Sequence, residues 1–303
     1  MTLARRWPRY SLRTLLIALT IFGVWLGLRV NSARRQAQAV AQIRQRRGGS
    51  VQYDFELTAD SRANAKSAKS WVPAWIIART GPDLFHSVLS VRMDHFDGRP
   101  QRLVDNDLEA GEPQDRTRVT ALRRHLAALP RLRSLELNVG PEASDECLAA
   151  VSELSDLERL YCCNVTDAGV AHLASLRRLR ILVIFDSKLT DKSLRVFGAM
   201  SRLENLVATD SHFTDDGLSH LRNLKRMVVM SLDCGERRFT DAGLVHLEGL
   251  QSLENIQLQD SLVTPAGIAR LQRAIPALQV VDFSPPPPPG GWRIPVEVDP
   301  FGP

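Results

Sequence analysis

From residue 126 onward, apolar residues return at fixed places in successive twelve-residue stretches, always at positions 1, 4, 7, 10 and 12. The stretches read "LAALPRLRSLEL", "VSELSDLERLYC", "LASLRRLRILVI", "FGAMSRLENLVA", "LRNLKRMVVMSL" and "LEGLQSLENIQL". A seventh copy, "LQRAIPALQVVDF", fits the same frame with one inserted residue. Self-similarity at a fixed period of this length predicts a solenoid, in which each repeat forms one coil of a continuous stack.

The last two apolar positions of each stretch predict the buried side of a short strand, because alternate residues of a strand point to the same face. Successive pairs are 22 to 26 residues apart along the chain. The pairs are Leu135/Leu137, Leu160/Cys162, Leu182/Ile184, Leu206/Ala208, Met230/Leu232, Ile256/Leu258 and Val281/Phe283.

A second recurrent motif lies between the stretches. "NVTDAGVAHLA" at residues 164–174 returns as "RFTDAGLVHLE" at 238–248, and its threonine stands where a helix N-cap belongs. In the last copy Pro265 replaces the aspartate, and proline suits the first helical position. In this register the threonines are helix N-caps: Thr166, Thr190, Thr214, Thr240 and Thr264. The aspartates that follow lie in the first turns of the helices: Asp167, Asp191, Asp215 and Asp241.

Each first-turn carboxylate favours the positive end of its helix by about 0.3–1 kcal/mol. The repeat alone places these aspartates in a row, and nothing in the sequence gives two of them different surroundings. The row is therefore interpreted as structural, with no metal-binding or acid/base role.

The frame LxxLxxLxL, followed by (V/L/F)TDxGLxxL, resembles the leucine-rich repeat of the ribonuclease-inhibitor-like and cysteine-containing type, over residues 120–284. The segments "RYSLRTLLIALTIFGVWLGL" and "GGSVQYDFE" also resemble membrane-anchored leucine-rich-repeat proteins of planctomycete-type bacteria. The resemblance implies an α/β solenoid, with a parallel sheet on the concave face and helices on the convex face. It also implies interaction rather than catalysis.

An apolar segment near the N-terminus predicts a membrane anchor. Fifteen uncharged, mostly apolar residues separate Arg13 from Arg29, which is about 22 Å of helix. This is short for a hydrocarbon core of about 30 Å, but arginines at both ends can snorkel, so residues 10–30 form a plausible span. A cleaved signal peptide is the alternative, although no small-x-small cleavage site follows the apolar run.

The pattern divides the chain into six segments. Residues 31–49, rich in Ala, Gln and Arg, predict a helical stalk that ends at Gly48-Gly49. Residues 50–119 predict a strand in "SVQYDFEL", a short helix around Trp75 and a strand over residues 88–93. The segments are a basic tail at 1–9, the anchor at 10–30, the stalk at 31–49, an N-terminal cap region at 50–119, the repeat domain at 120–284 and a proline-rich tail at 285–303.

Charge is distributed unevenly along the 303 residues, which carry a net charge of +5. Residues 1–47 contain ten arginines and no acid, so the remainder has a net charge of −5. An acidic body has no general attraction for phosphate backbones, and no nucleic-acid partner is predicted. Four arginines precede the span within a short tail that resists translocation, while four follow it. This favours the repeat domain on the extracytoplasmic side.

Candidate chemistry is sparse. His172, His220 and His246 share one repeat position, but Val196 interrupts the row and co-ligands are absent, so we predict exposed helix residues and no metal site. The acidic loop with Asp105, Asp107 and Glu109 lacks the glycine that a calcium loop needs at its sixth position. We find no nucleophile elbow, phosphate loop or dinucleotide motif, and predict no enzyme activity and no cofactor.

The four cysteines suggest packing rather than chemistry. Cys162 takes a core position, and Cys162 and Cys163 point to opposite faces of one strand. No CxxC motif occurs, and a structural disulfide in an oxidising compartment stays open for Cys147, Cys162, Cys163 and Cys234.

Residues that flank the buried pairs point onto the concave face of the sheet. The face is polar at both ends and apolar in the middle, and neighbouring strands lie about 4.8 Å apart. The sequence therefore predicts one contiguous apolar patch, a candidate binding site for a protein partner. Cover by the N-terminal region or the tail is the alternative. The patch comprises Tyr161, Ile181, Val183, Phe185, Val207 and Val229.

Together these features predict a single-pass membrane protein that displays a solenoid as a protein-binding surface. Two other classes stay open. An intracellular substrate adaptor of a degradation machine would need a helical adaptor module before the repeats, for which "WVPAWIIARTGPDLF" is a poor candidate. The other is an enzyme with an unrecognised site.

Overall fold

The structure is a computed structural model that describes residues 12–45, 49–54, 72–93, 120, 122–137, 144–233, 239–259 and 261–282. One long helix leads into a sheet of nine strands in the described part of the chain. The strands are β1 Gly49–Tyr53, β2 Val88–Met93, β3 Ser134–Leu137, β4 Arg159–Cys163, β5 Ile181–Phe185, β6 Asn205–Ala208, β7 Val229–Asp233, β8 Asn255–Gln259 and β9 Val280–Asp282.

A helix or helical turn follows most strands. The helices are α1 Leu12–Gln45, α2 Ala74–Thr80, α3 at residues 122–127, α4 Ser144–Val151, α5 Asp167–His172, α6 Asp191–Phe197, α7 Asp215–Leu218, α8 Asp241–Leu244 and α9 Pro265–Ala274. Short 3₁₀ turns cover Pro82–Leu84, Leu173–Ser175 and Ser219–Asn223.

The strands lie side by side in the order of the chain, from β1 to β9. β1 is antiparallel to β2, and every later pair is parallel. This order is what a solenoid produces, because each coil adds one strand beside the last.

The predicted apolar pairs set the register. One continuous row of partners runs through Leu135, Leu160, Leu182, Leu206, Met230, Ile256 and Val281. The first six of these side chains are fully buried. The predicted strand frame is therefore confirmed for these coils, while Phe283 of the seventh pair lies outside the described residues.

The helix α1 is unbroken from Leu12 to Gln45. Its last third packs into the first coil, where Gln36, Ala39, Val40 and Ile43 are buried. The segment predicted as a stalk is helical, and its buried side chains make it the cap of the solenoid. Isolated apolar surface at the end of a stack needs such a cap.

Polar contacts hold α1 against the first coil. The Gln36 side-chain amide donates to Asp83 Oδ1 at 2.9 Å and to the His86 carbonyl at 3.0 Å. The Tyr53 hydroxyl donates to the same Asp83 oxygen at 3.0 Å. Further along α1, the Gln42 side chain contacts the His125 ring. The bonds of Gln36 and Gln42 tie the helix to the turn before β2 and to α3, and the Tyr53 bond joins β1 to the same turn.

The apolar first half of α1 lies outside this core. Leu16, Ile17, Ile21 and Leu28 are between 55% and 67% exposed. Among the described residues, α1 is the helix that is long and apolar enough to cross a membrane.

Candidate partner-binding face

The six residues of the predicted apolar patch lie together on the sheet face opposite the core. Tyr161, Val183 and Val207 are direct partners across β4, β5 and β6. Ile181 and Val229 lie in the neighbouring row, on either side of Asn205. Phe185 ends β5 on the same face, because it follows Val183 by two residues. The structure brings all six together as the spacing predicted.

The patch is packed rather than fully open. Five of its side chains are half-buried, and Val183 at its centre is only 7% exposed. Its register neighbours Tyr161 and Val207 cover Val183 from both sides. Such mutual support orders the side chains before any partner arrives.

Polar residues flank the patch at both ends of the sheet. On the β2–β3 side, Arg92 Nε lies 2.6 Å from Glu136 Oε2. On the β7–β8 side, the Ser231 hydroxyl donates to Gln257 Oε1 at 3.2 Å. An apolar centre with polar flanks is the arrangement typical of protein-binding faces.

The Tyr161 hydroxyl is the unusual polar group of the patch. It is buried and has no hydrogen-bond partner among the described residues. Burial raises the pKa of Tyr161, although the charges of Arg159 and Arg92 act against the shift. The hydroxyl is therefore protonated at neutral pH and keeps a proton to donate.

On the opposite side of the sheet, each first-turn aspartate joins two coils. Asp215 Oδ1 accepts a hydrogen bond from the Thr240 N–H at 2.9 Å, and Asp215 Oδ2 accepts one from the Thr240 hydroxyl at 2.5 Å. The same two bonds recur in five steps, which we call the Asp–Thr ladder: Asp145–Thr166, Asp167–Thr190, Asp191–Thr214, Asp215–Thr240 and Asp241–Thr264.

The predicted caps are confirmed, since each ladder threonine also accepts a hydrogen bond from the backbone within its own helix. The sequence did not reveal the bonds between coils. The available signal was Pro265, which replaces the aspartate in the last copy of the motif.

The glycine of each TDxG motif makes room for the preceding carboxylate. A Cβ atom at Gly243 would stand 2.9 Å from Asp215 Cγ, and one at Gly217 would stand 2.5 Å from Asp191 Cγ. In α6 Ser193 replaces this glycine, and its hydroxyl donates to Asp167 Oδ1 at 2.5 Å. Partial burial raises the pKa of Asp167, but the hydrogen bonds from Ser193 and Thr190 outweigh it and leave the pKa below its ordinary value.

The sequence prediction also missed a row of left-handed residues just past the strands. Asn164, Asp186 and Asp210 have φ values of 55°, 48° and 54°. Asparagine and aspartate are among the few residues that adopt this conformation readily. Burial, together with the charge of Asp186, raises the pKa of Asp210.

The remaining candidates do not converge on a site. His172 and His220 are exposed, His246 is half-buried, and Cys147, Cys162 and Cys163 are buried. No three His, Cys, Asp or Glu side chains come together in the described ranges. Cys234, the acidic loop at 105–115 and the tail at 285–303 lie outside the described residues.

On the helix side of the solenoid, a shallow depression of about 330 Å³ lies beside α4 and α5. Its carboxylate Asp145 is engaged by Thr166, and its Arg123 pairs with Glu153 at 2.9 Å. Two of the charged groups that line this depression are thus already engaged within the fold.

The fold is a leucine-rich-repeat solenoid. Solved structures with some similarity include internalin C2 of Listeria monocytogenes (21% identity, TM-score 0.41), internalin InlF of the same organism (20%, 0.41) and the plant peptide hormone receptor RGFR1 in complex with RGF2 (14%, 0.37). Each match covers 53% of this chain, and 65%, 50% and 29% of the respective structures. The chain thus spans less than two thirds of each. No protein-family model and no curated protein matches the sequence.

Proposed function

We propose that this protein is a membrane-anchored interaction module whose apolar patch binds a partner protein. The observation that carries the proposal is the patch itself: six apolar side chains in register on the sheet face opposite the core. Contiguous apolar surface of this kind is costly to leave in water, and it marks interaction sites in other proteins.

Binding at this face is non-covalent. The side chains are held by neighbouring strands, so little conformational entropy is lost when a partner docks. A suitable partner presents an apolar surface at the centre and polar groups at its rim.

A matched pair of substitutions tests the patch. In Phe185→Asp a charge enters its edge, and we expect capture of partner proteins from membranes of the source cell to fall at least about tenfold. Val245→Asp adds the same charge on the helix side, where Val245 is 42% exposed, and should leave capture unchanged. Equal capture by both variants, each with a normal unfolding transition, would remove the patch from the binding site.

Membrane anchoring is supported by the exposed apolar half of α1. Such a surface is stable in a bilayer and unfavourable in water. The short N-terminal tail with its four arginines resists translocation, which favours the repeat domain on the extracytoplasmic side. We expect the chain to stay with membranes during alkaline extraction, and a C-terminal tag to be cut by protease added to intact cells. Release into the soluble fraction would favour the intracellular adaptor instead.

A further inference from the structure

The direction of α1 fixes which edge of the sheet faces the membrane. Gln36 binds the His86 carbonyl, two residues before β2 begins at Val88. The end of α1 at Gln45 lies four residues before Gly49, which pairs with Met93 at the end of β2. α1 therefore runs alongside β2 in the same sense, and its apolar half projects beyond the edge where the parallel strands start.

This edge, the strand-start edge, consists of the residues that precede β2 to β9. Six helical residues separate Val30, at the end of the predicted span, from Gln36, which is about 9 Å. The edge thus lies within about one Debye length of the bilayer surface at physiological salt. Because α1 has no break between Leu12 and Gln45, the helix sets both the distance and the direction.

The charge of the strand-start edge is positive. The four residues before each of β3 to β9 contain eight basic and four acidic side chains. Exposed arginines without a carboxylate partner in the described part of this edge are Arg131, Arg177, Arg202 and Arg226. On α1, Arg29, Arg34 and Arg35 are exposed near the same level.

The opposite edge, where the strands end and the helices begin, has the reverse charge. Seven aspartates lie there against Lys188 and Lys192 in the described ranges. These aspartates are Asp167, Asp186, Asp191, Asp210, Asp215, Asp233 and Asp241. The solenoid is thus charged positively on the side from which the span projects, and negatively on the far side.

An exposed tryptophan lies beside the basic edge. α2 ends at Thr80, three residues before the Asp83 that binds Gln36, so this helix belongs to the same edge. Trp75 in its first turn is 71% exposed. Tryptophan is enriched at the depth of lipid headgroups, where its ring contacts the acyl boundary and its N–H contacts water.

We propose that the strand-start edge docks on an anionic bilayer surface, with the arginines on lipid phosphates and Trp75 in the headgroup layer. This inference rests on the proposed membrane anchor. Docking holds the strands along the bilayer normal and turns the Asp–Thr ends of the coils away from the membrane. Each arginine near an anionic surface contributes about fivefold in affinity, so the loss of three lowers the docking equilibrium roughly 100-fold.

The test uses the full-length chain with Cys234→Ser, reconstituted in vesicles with a headgroup-attached quencher. One set is phosphatidylcholine, and the other contains one third phosphatidylglycerol. A fluorophore is placed on Ser201→Cys, at the strand-start edge, or on Lys188→Cys, at the opposite edge. We expect quenching at position 201 in anionic vesicles, several times stronger than at position 188, and loss of most of it in high salt.

Two triple variants separate docking from simple tethering. Arg177→Gln with Arg202→Gln and Arg226→Gln should abolish the quenching at position 201. Lys188→Gln with Lys192→Gln and Arg195→Gln removes the same charge away from this edge and should preserve it. Equal quenching in both lipids, or at both positions, overturns the docking while the anchor stands. A chain that does not enter the vesicles overturns the anchor and the docking together.

Discussion

Each aspartate of the Asp–Thr ladder serves its own helix and the next coil at once. One carboxylate oxygen accepts the threonine N–H, the other accepts the threonine hydroxyl, and the residue itself sits in the first turn of its helix. Hydrogen bonds to a charged group are worth more than neutral ones. Because these bonds recur in five successive steps, the contribution of the ladder to the stability of the stack grows with the number of steps.

The neighbouring aspartates of α7 allow this contribution to be measured. Asp215→Asn replaces the carboxylate that accepts both hydrogen bonds from Thr240 with a neutral amide. We expect the free energy of unfolding to fall by about 1–3 kcal/mol in urea titration of the detergent-solubilised chain. Asp216 lies in the same first turn, and no bond to its side chain links it to another coil among the described residues. Asp216→Asn should therefore change the free energy by about 0.5 kcal/mol or less. Equal losses would show that the helix dipole, and not the ladder, explains the aspartates.

The low pKa of Asp167 predicts how the ladder responds to acid. A carboxyl whose folded pKa is depressed stabilises the fold above its unfolded pKa, here the ordinary 3.8, and loses that contribution as the pH falls through the folded value. We expect Asp167→Asn to be less stable than the natural chain near neutral pH. The difference in unfolding free energy should shrink towards zero at strongly acidic pH.

Asp210 provides a control of opposite sign. Its pKa is raised by burial and by Asp186, so its ionisation destabilises the fold as the pH rises. Asp210→Asn should therefore gain stability near neutral pH, and asparagine tolerates the left-handed backbone at this position. Identical pH profiles for the two variants would contradict both assignments.

At the scale of helices and strands, the repeat frame predicted most of the sheet. The apolar pairs gave the register of β3 to β8, and the threonines gave the starts of α5 to α9. Both signals are local, because each depends on side chains within one coil. The ladder between coils and the packing of α1 depend on residues far apart in the chain, such as Gln36 and Asp83, and periodicity carries no information on them.

At the scale of single elements, the largest difference between the sequence prediction and the structure is that the end of α1 caps the first coil. Ile43 is fully buried in the first coil, whereas Ile17 on the same helix is 60% exposed. Ile43→Ala leaves a cavity and should lower the free energy of unfolding by about 2–5 kcal/mol. Ile17→Ala makes the same chemical change outside the core and should be nearly neutral in detergent. If both variants unfold like the natural chain, the last third of α1 is a free stalk.

For the candidate site, sequence and structure agree on which residues come together. The six patch residues followed from strand alternation, and the structure adds that Val183 is almost covered by its neighbours. The sequence held no sign of the unpartnered Tyr161 hydroxyl, because burial of a single atom depends on the packing of several strands. Whether the patch binds a partner stays a prediction.

At the scale of the whole molecule, one helix carries the apolar segment of the proposed anchor and also packs into the first coil. The solenoid is thereby presented in one orientation, and the apolar patch lies on a sheet face whose strands run along the axis of that helix. A partner that lies in or near the same membrane can reach such a face without rotation of the repeat domain.

Site-directed photo-crosslinking in intact membranes tests this account most directly. A photoreactive phenylalanine analogue replaces Val207 in the patch or, in a matched variant, Arg195 on the exposed side of α6. We predict a discrete higher-mass adduct from position 207, lost in the presence of Phe185→Asp, and none from position 195. The same adducts from both positions, or an adduct from position 195 alone, would contradict binding at the apolar patch.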